Sequence, residues 1–277
     1  MDPKTPTRKA YPSDLSDERW ELIKDLVPEP PEGGPQEHLL NGRNVYSRRE
    51  VVNAMLYITR AGCPWRYLPH DFPPWELVYH YFQEFTRKGV WDKIGEALRR
   101  RTRRNEGREP TATAGSLDSQ TVAGTATSGV HGYDGGKKIR GRKRHVLVDT
   151  LGLLIALHVT SGNVQDRDAA LPVLEKAAEM EPTLEKVWAD GAYQGPRVQA
   201  ASRRTGIAVE ITHGGKKGEG FRLATNRWVV ERSFGWLGWD RRLNRDYEKT
   251  TMSAEAFVKI GFIGIMLKRT PENNPSA

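Results

Sequence analysis

The chain has 277 residues, with 43 Lys and Arg against 35 Asp and Glu and a formal net charge of +8, so it can bury a sizeable core in one large or two moderate domains and favours polyanionic partners, nucleic acid first. One cysteine, Cys63, excludes an internal disulfide and a cysteine-based zinc cluster and fits a reducing cytosol. The N-terminus MDPKTPTRKAYP lacks the apolar core of a signal peptide, and AFVKIGFIGIML is short and broken by Lys259, so a soluble, cytoplasmic protein without a membrane partner is expected.

In chain order, residues 1–10 read as a polar tail. Ser16 is placed to cap a helix over DERWELIKDLV, with Trp20, Ile23 and Val27 at helical spacing and Pro28 closing it. A loop, PEPPEGGPQ, occupies 28–36. SRREVVNAMLYITRAG then carries Ser47 and Glu50 in a capping box, and Gly62 ends the helix. WELVYHYFQEFTRKG and VWDKIGEALRRRTRR follow as a third and fourth helix. Residues 11–105 are therefore expected to form an all-α domain. Its helices around 48–61 and 75–88 are spaced either as a helix-turn-helix that docks on DNA or as plain packing. The run RRRTRR, 99–104, is either a solvated helix end or a polyanion contact.

Residues 106–115 read as a linker, after which β-branched alternation takes over. Strands are expected at 116–123, 144–150, 153–160, 186–190 and 207–212, with TLG making a hairpin between the second and third. Helices are expected in DRDAALPVLEKAAEM, PRVQAASRRTG, NRWVVERSFGWLGWDRR and SAEAFVKIGFIGIMLKR. This order describes an α/β domain over 116–270, a mixed sheet covered by helices, before a tail at 271–277. KKIRGRKR carries Lys137, Lys138, Arg140, Arg142, Lys143 and Arg144 behind the Gly-rich SGVHGYDGG. Such a segment is expected to move and to mould itself to a phosphate backbone, solvated charge being the alternative. His131 and His145 are expected to be satisfied structural residues.

Three acids hold special places. Asp118 sits mid-strand in SLDSQ, Asp190 at a strand end before GAYQG, and Glu231 on the helix NRWVVERSFGWLGWDRR. If the fold brings them together, their mutual repulsion calls for cations, and hard oxygen ligands suit two Mg²⁺ or Mn²⁺ ions. Two such ions serve in-line displacement at a phosphodiester. The alternatives stay open: Asp118 as an edge or turn residue, Asp190 as a turn cap, and Glu231 as a partner of Arg227. On the last helix, Val230, Phe234 and Leu237 are expected to be buried, with Arg227 and Glu231 on an adjoining face beside Gly235 and Gly238.

Long strings of this chain, among them YPSDLSDERWELI, GCPWRYLPHDFPPWELVYHYF, LDSQTV, GYDGGKKIRGRKRHVLVDTLG, NVQDRD, WADGAYQG, WVVERSFGWL and AEAFVKI, resemble DDE transposases of bacterial insertion sequences, in the group named after insertion sequence five. The resemblance covers nearly the whole chain. It implies an RNase H-like catalytic domain behind a helical DNA-binding region, and Asp118, Asp190 and Glu231 as catalytic, metal-binding triad. It also implies cleavage of double-stranded DNA at terminal inverted repeats, joining of the freed 3′-hydroxyl to target DNA, action as a homodimer or higher oligomer, and a nucleoid-associated location. Arg227, four residues before the glutamate, matches an arginine that holds a DNA phosphate. The chain departs from the family signature at Ala224, where a tyrosine is usual, and at Gly238 and Trp239, where a basic residue is usual; Arg241 and Arg242 are placed to supply that charge from the next turn. The other reading these departures leave is an inactive or domesticated DNA-binding protein or repressor.

Overall fold

The computed structural model describes residues 8–29, 46–212 and 227–269. Most of the loop expected at 28–36, the position Ala224 and the tail at 271–277 lie outside them. The chain divides into two compact units: Met1–Leu98 with Asp240–Leu243 and Ala256–Ala277, and Arg99–Trp239 with Asn244–Glu255.

The first unit is helical. Helix α1 (Asp17–Glu21) starts as expected, Ser16 accepting from the Arg19 N–H, but stops six residues short of Val27. The Leu22 N–H turns back to the Trp20 carbonyl and a 3-10 turn follows at Lys24–Leu26. This tighter winding keeps Ile23 and Val27 buried. Helix α2 (Arg48–Ala61) is capped by Ser47 and ends on Gly62 at φ +76°, a left-handed position that suits glycine. Only half of the capping box forms, because the Glu50 carboxylate binds Arg8 (2.8 Å) and Asn53 (2.9 Å) instead of the Ser47 N–H. Residues 62–74, with a 3-10 turn at Trp65–Tyr67, lead to α3 (Trp75–Arg87), whose Leu77, Val78, Tyr81, Phe82 and Phe85 are buried. Helix α4 (Val90–Asn105) follows.

The second unit is built on a mixed sheet. Strands β1 (Ala114–Ala123), β2 (Gly132–Asp134), β3 (Ile139–Asp149), β4 (Leu154–Ser161), β5 (Lys186–Ala189) and β6 (Ala208–Ile211) alternate with helices α5 (Asp166–Met180) and α6 (Pro196–Thr205). β1 lies between β3, to which it is antiparallel, and β5, to which it is parallel; β6 extends the parallel side. On its other edge β3 pairs antiparallel with β4 and, near its start, with β2. Leu117, Leu147, Ile155, Val173, Leu174 and Val187 form the core between sheet and helices. Strand ends come within a residue or two of the alternation pattern except in β3, which starts five residues earlier than expected.

Both arginine-rich stretches are partly turned into the fold. In the run at 99–104, Arg99 and Arg103 turn inward at i and i+4. Arg99 donates to Glu181 at 2.8 Å, and Arg103 to Asp149 at 2.7 Å, with every partner buried. In KKIRGRKR, Arg142, Lys143 and Arg144 are strand residues, each less than a tenth exposed. Arg142 donates to both oxygens of Asp246 (3.2 Å) and to the Glu248 carbonyl. Lys143 bridges Asp166 (3.2 Å) and Asp134 (3.5 Å). Burial lowers the Arg144 pKa to about 10, against the pull of Asp246 and Glu248. The expectation of a mobile DNA-moulding segment is therefore corrected for these three: strand pairing and buried acid partners occupy them. Lys137 and Lys138, in the β2–β3 turn, and Arg140, at the start of β3, stay exposed.

Candidate active site

Asp118 lies in the middle of β1, opposite Val146 of β3. Next to it, Leu117 is in register with Ala189, the last residue of β5, so Asp190 leaves the sheet one strand away from Asp118. Parallel pairing of β1 and β5 thus brings together two acids that stand 72 positions apart in the sequence. The Asp118 Oδ1 accepts the Ser119 N–H at 2.7 Å. Burial raises its pKa to about 6, the Ser119 N–H opposes that rise, the Asp190 charge adds to it, and Arg227 and Lys137 lower it. Lys137 is anchored nearby through its ammonium to the Ser119 carbonyl, 2.8 Å. Asp190 caps the 3-10 turn Gly191–Tyr193, its Oδ1 accepting the Ala192 N–H at 2.9 Å. The cap and the neighbouring acid are one and the same residue.

Helix α7 (Trp228–Leu237) packs on β1 and β3. Its buried residues are Val229, Val230, Ser233 and Leu237, while Phe234 is only half-buried. The buried face is thus turned from the expected stripe, because a polar anchor sits in it. The Ser233 hydroxyl donates to the Gly152 carbonyl (2.9 Å) and Arg232 to the Leu151 carbonyl (3.0 Å), both in the β3–β4 turn. Arg232 is also sandwiched between the rings of Trp228 and Trp236, 4.5 and 4.6 Å away. This docking orients Glu231, half exposed, toward Arg227, which it binds at 3.0 Å.

The alternative roles for two of the acids are thus both realised, Asp190 as a cap and Glu231 as an ion-pair partner. Arg227 links the groups, reaching Glu231 directly and acting on Asp118 through its charge. Among the described residues no three His, Cys, Asp or Glu side chains are grouped closely enough to hold a metal ion. Asp118 and Asp190 lie near each other, and Glu231 stands off with its arginine. Arg241 and Arg242 do not continue α7, which ends at Leu237 before Gly238; they belong to a 3-10 turn, Arg241–Leu243. Arg242 is buried, donates to the Cys63 carbonyl (3.1 Å) and lies over the Phe257 ring (4.9 Å), so its expected role as a replacement phosphate contact is corrected: its charge is spent on internal packing. Arg241 is exposed.

Behind the acids stand residues that no local pattern joins to them. His145, fully buried on β3, meets the Tyr193 hydroxyl at Nδ1 (3.1 Å) and Thr160 Oγ1 at Nε2 (3.0 Å), and is the satisfied structural histidine expected. Burial lowers its pKa to about 4, with Asp166 pulling the other way. Burial, then Asp166, Asp118 and Asp190, raise the Tyr193 pKa. Beside the Asp190 turn opens a cleft of about 430 Å³, with Asp134, Lys143, Asn163, Asp166 and Ala192 in its wall. Asp166 stands in NVQDRD, a string already singled out, but nothing local shows that it faces β3.

The six strands and the three acids lie within residues 109–267, which match the transposase DDE domain, and residues 15–95 match a family described as a putative transposase of the IS4/5 family. The chain belongs to the DDE transposase family. Its sheet, with an antiparallel β1–β3–β4 side and a parallel β1–β5–β6 side flanked by helices, is the RNase H-like fold of that domain. The putative transposase for insertion sequence element IS402 of Burkholderia cepacia is 32% identical over 128 residues, 44% of this chain and 60% of that protein. The IS402 uncharacterized 16.2 kDa protein from the same organism is 30% identical over 86 residues, 30% of this chain and 56% of that protein. The chain thus spans less than two thirds of the length of these curated relatives. Among the described residues of this DDE transposase, no helix is long and apolar enough to cross a membrane.

Proposed function

We propose that the protein is a metal-dependent transposase that cuts phosphodiester bonds at the inverted repeats of an insertion sequence and joins the freed 3′-hydroxyl to target DNA. The observation that carries this reading is the approach of Asp118 on β1 to Asp190 at the end of the parallel neighbour β5, with the Arg227–Glu231 helix packed on β1 and β3. Asp118 is an acid whose burial and acidic neighbour raise its proton affinity, and an all-oxygen donor set of this kind suits a hard divalent cation that would relieve the repulsion. Asp118, Asp190 and Glu231 would hold Mg²⁺ or Mn²⁺, two ions in all, and such ions activate an attacking oxygen and stabilise a leaving one. Release of Glu231 from Arg227 completes that set, and Arg227 then takes a DNA phosphate by charge-assisted bonds. Lys137, Lys138, Arg140 and Arg241 offer exposed positive charge to the backbone.

In this proposal residues 11–105 bind DNA, residues 106–115 link, residues 116–270 carry out the chemistry, and a homodimer or larger assembly holds paired ends. The Arg227–Glu231 pair also favours a second reading, a DNA-binding repressor whose third acid is never delivered to the other two. Purified protein with labelled DNA bearing the element's own ends separates them. Mg²⁺-dependent nicking that Asp118→Ala and Glu231→Ala abolish, with binding retained, supports the transposase. Normal cutting by both variants refutes the triad, and binding with no metal-dependent cleavage by the wild-type chain establishes the repressor reading.

A further inference from the structure

Behind the two neighbouring aspartates runs a chain of polar groups, buried at Tyr193 and His145 and half-buried at Thr160. Thr160 donates its hydroxyl to the Ser161 carbonyl at 3.2 Å, so toward His145 its Oγ1 acts as acceptor, and the His145 Nε2 must carry the proton of the 3.0 Å bond between them. A neutral imidazole protonated at Nε2 accepts at Nδ1, and the group facing Nδ1 is the Tyr193 hydroxyl, 3.1 Å away. The Asp166 carboxylate is 3.9 Å from the same nitrogen, beyond hydrogen-bond reach. The chain therefore reads Tyr193 to His145 to Thr160 to the β4 backbone, each group donating to the next.

Tyr193 is the last residue of the 3-10 turn that Asp190 caps. Its own N–H donates to the Asp190 carbonyl at 3.1 Å, and the residue before it, Ala192, gives its N–H to the Asp190 carboxylate. Its ring is fully buried in the core of the sheet. The turn would be a short excursion from the end of β5 if nothing held its far side. The hydroxyl joins it to β3 and, through the imidazole, to β4; of these, β3 pairs directly with β1 and thus with the strand of Asp118.

We propose that Tyr193 is a positioning residue: its bond to His145 ties the Asp190 turn to the strand beside the one that carries Asp118, and so sets where the Asp190 carboxylate points. The inference rests on the metal-dependent reading above, since only a group that must share ions with Asp118 needs such aim. It is also distinct from that reading, because the tether can be measured without metal.

Tyr193→Phe keeps the ring and removes the one hydroxyl. In the full-length chain without metal, amide exchange of Ala192 should quicken at least tenfold while amides in α3 are unchanged. Calorimetric titration with Mn²⁺ should show affinity weakened about tenfold. Thr160→Val, which cuts the chain at its far end, should give the same pattern to a smaller degree and decides the matter if Tyr193→Phe does not fold. Ala192 exchange and Mn²⁺ affinity both within twofold of wild type would overturn the proposal and make Tyr193 a core residue only. Asp190→Ala serves as the separate check: if it binds Mn²⁺ like wild type, the metal-site reading fails, and the exchange result still judges the tether on its own.

Discussion

Replacing Asp118 by Asn tests whether this strand residue is held at the expense of stability. Its carboxyl has a pKa of about 6 in the fold against an ordinary 3.8. Two units at about 1.4 kcal/mol each make the ionised form about 3 kcal/mol less favourable in the folded chain at neutral pH. A raised acid stabilises the fold fully below pH 3.8, and this contribution is lost as pH rises through about 6. The amide introduced by Asp118→Asn carries no charge yet still accepts the Ser119 N–H, so in EDTA at pH 7.5 the variant should be more stable by about 2 kcal/mol, or about 5 °C in melting temperature. At pH 5 the folded wild-type residue is largely protonated while its unfolded counterpart is still ionised, so the gap should shrink to about half of that and close only below pH 3.8. Mn²⁺ should reverse the order at pH 7.5: a hundredfold excess over its dissociation constant adds about 2.7 kcal/mol to wild type and little to the variant. Thermal melts at both pH values, with and without Mn²⁺, read all four quantities. A variant less stable than wild type in EDTA at pH 7.5, or one stabilised equally by Mn²⁺, would refute the reasoning.

Arg142→Ala should lower stability by about 3–5 kcal/mol in urea unfolding, because Asp246 is left buried without its partner. Lys138→Ala should leave stability alone and reduce the salt dependence of DNA binding by about one counterion; if the two variants behave alike in the DNA titration, the burial of Arg142 is not its state on DNA. Arg99→Ala should likewise cost about 3–5 kcal/mol, whereas Arg99→Met with Glu181→Leu should come back to within about 1 kcal/mol of wild type, as apolar pairs of similar volume often do. Gly152→Ala forces a side chain into φ +83°, with its Cβ 2.7 Å from the Ser233 hydroxyl and 2.9 Å from the Trp236 ring; a loss of about 1–3 kcal/mol is expected, together with a change in tryptophan fluorescence as α7 shifts on the β3–β4 turn.

Most elements were legible from periodicity and capping. Ser16, Ser47 and Gly62 mark helix ends by local hydrogen bonding, and alternation placed every strand except β2, which lies in a Gly-rich stretch too short and polar to show a pattern. In KKIRGRKR charge density does not report exposure, since Arg142, Lys143 and Arg144 are buried. A strand buried on both faces can carry basic side chains when acids remote in sequence, here Asp246 and Asp166, are brought to them.

By itself the sequence determined the helix and strand order apart from β2, the basic balance, and which carboxylates stand where side chains of another kind would be expected, because those properties depend on neighbours within a few residues. Only the tertiary structure decided that β1 and β5 lie side by side and bring Asp118 near Asp190, that Arg142 meets Asp246, and that Tyr193 reaches His145. Strand pairing and the docking of α7 on the β3–β4 turn join residues far apart along the chain, and such meetings are set by how the sheet closes its core, which no local pattern encodes.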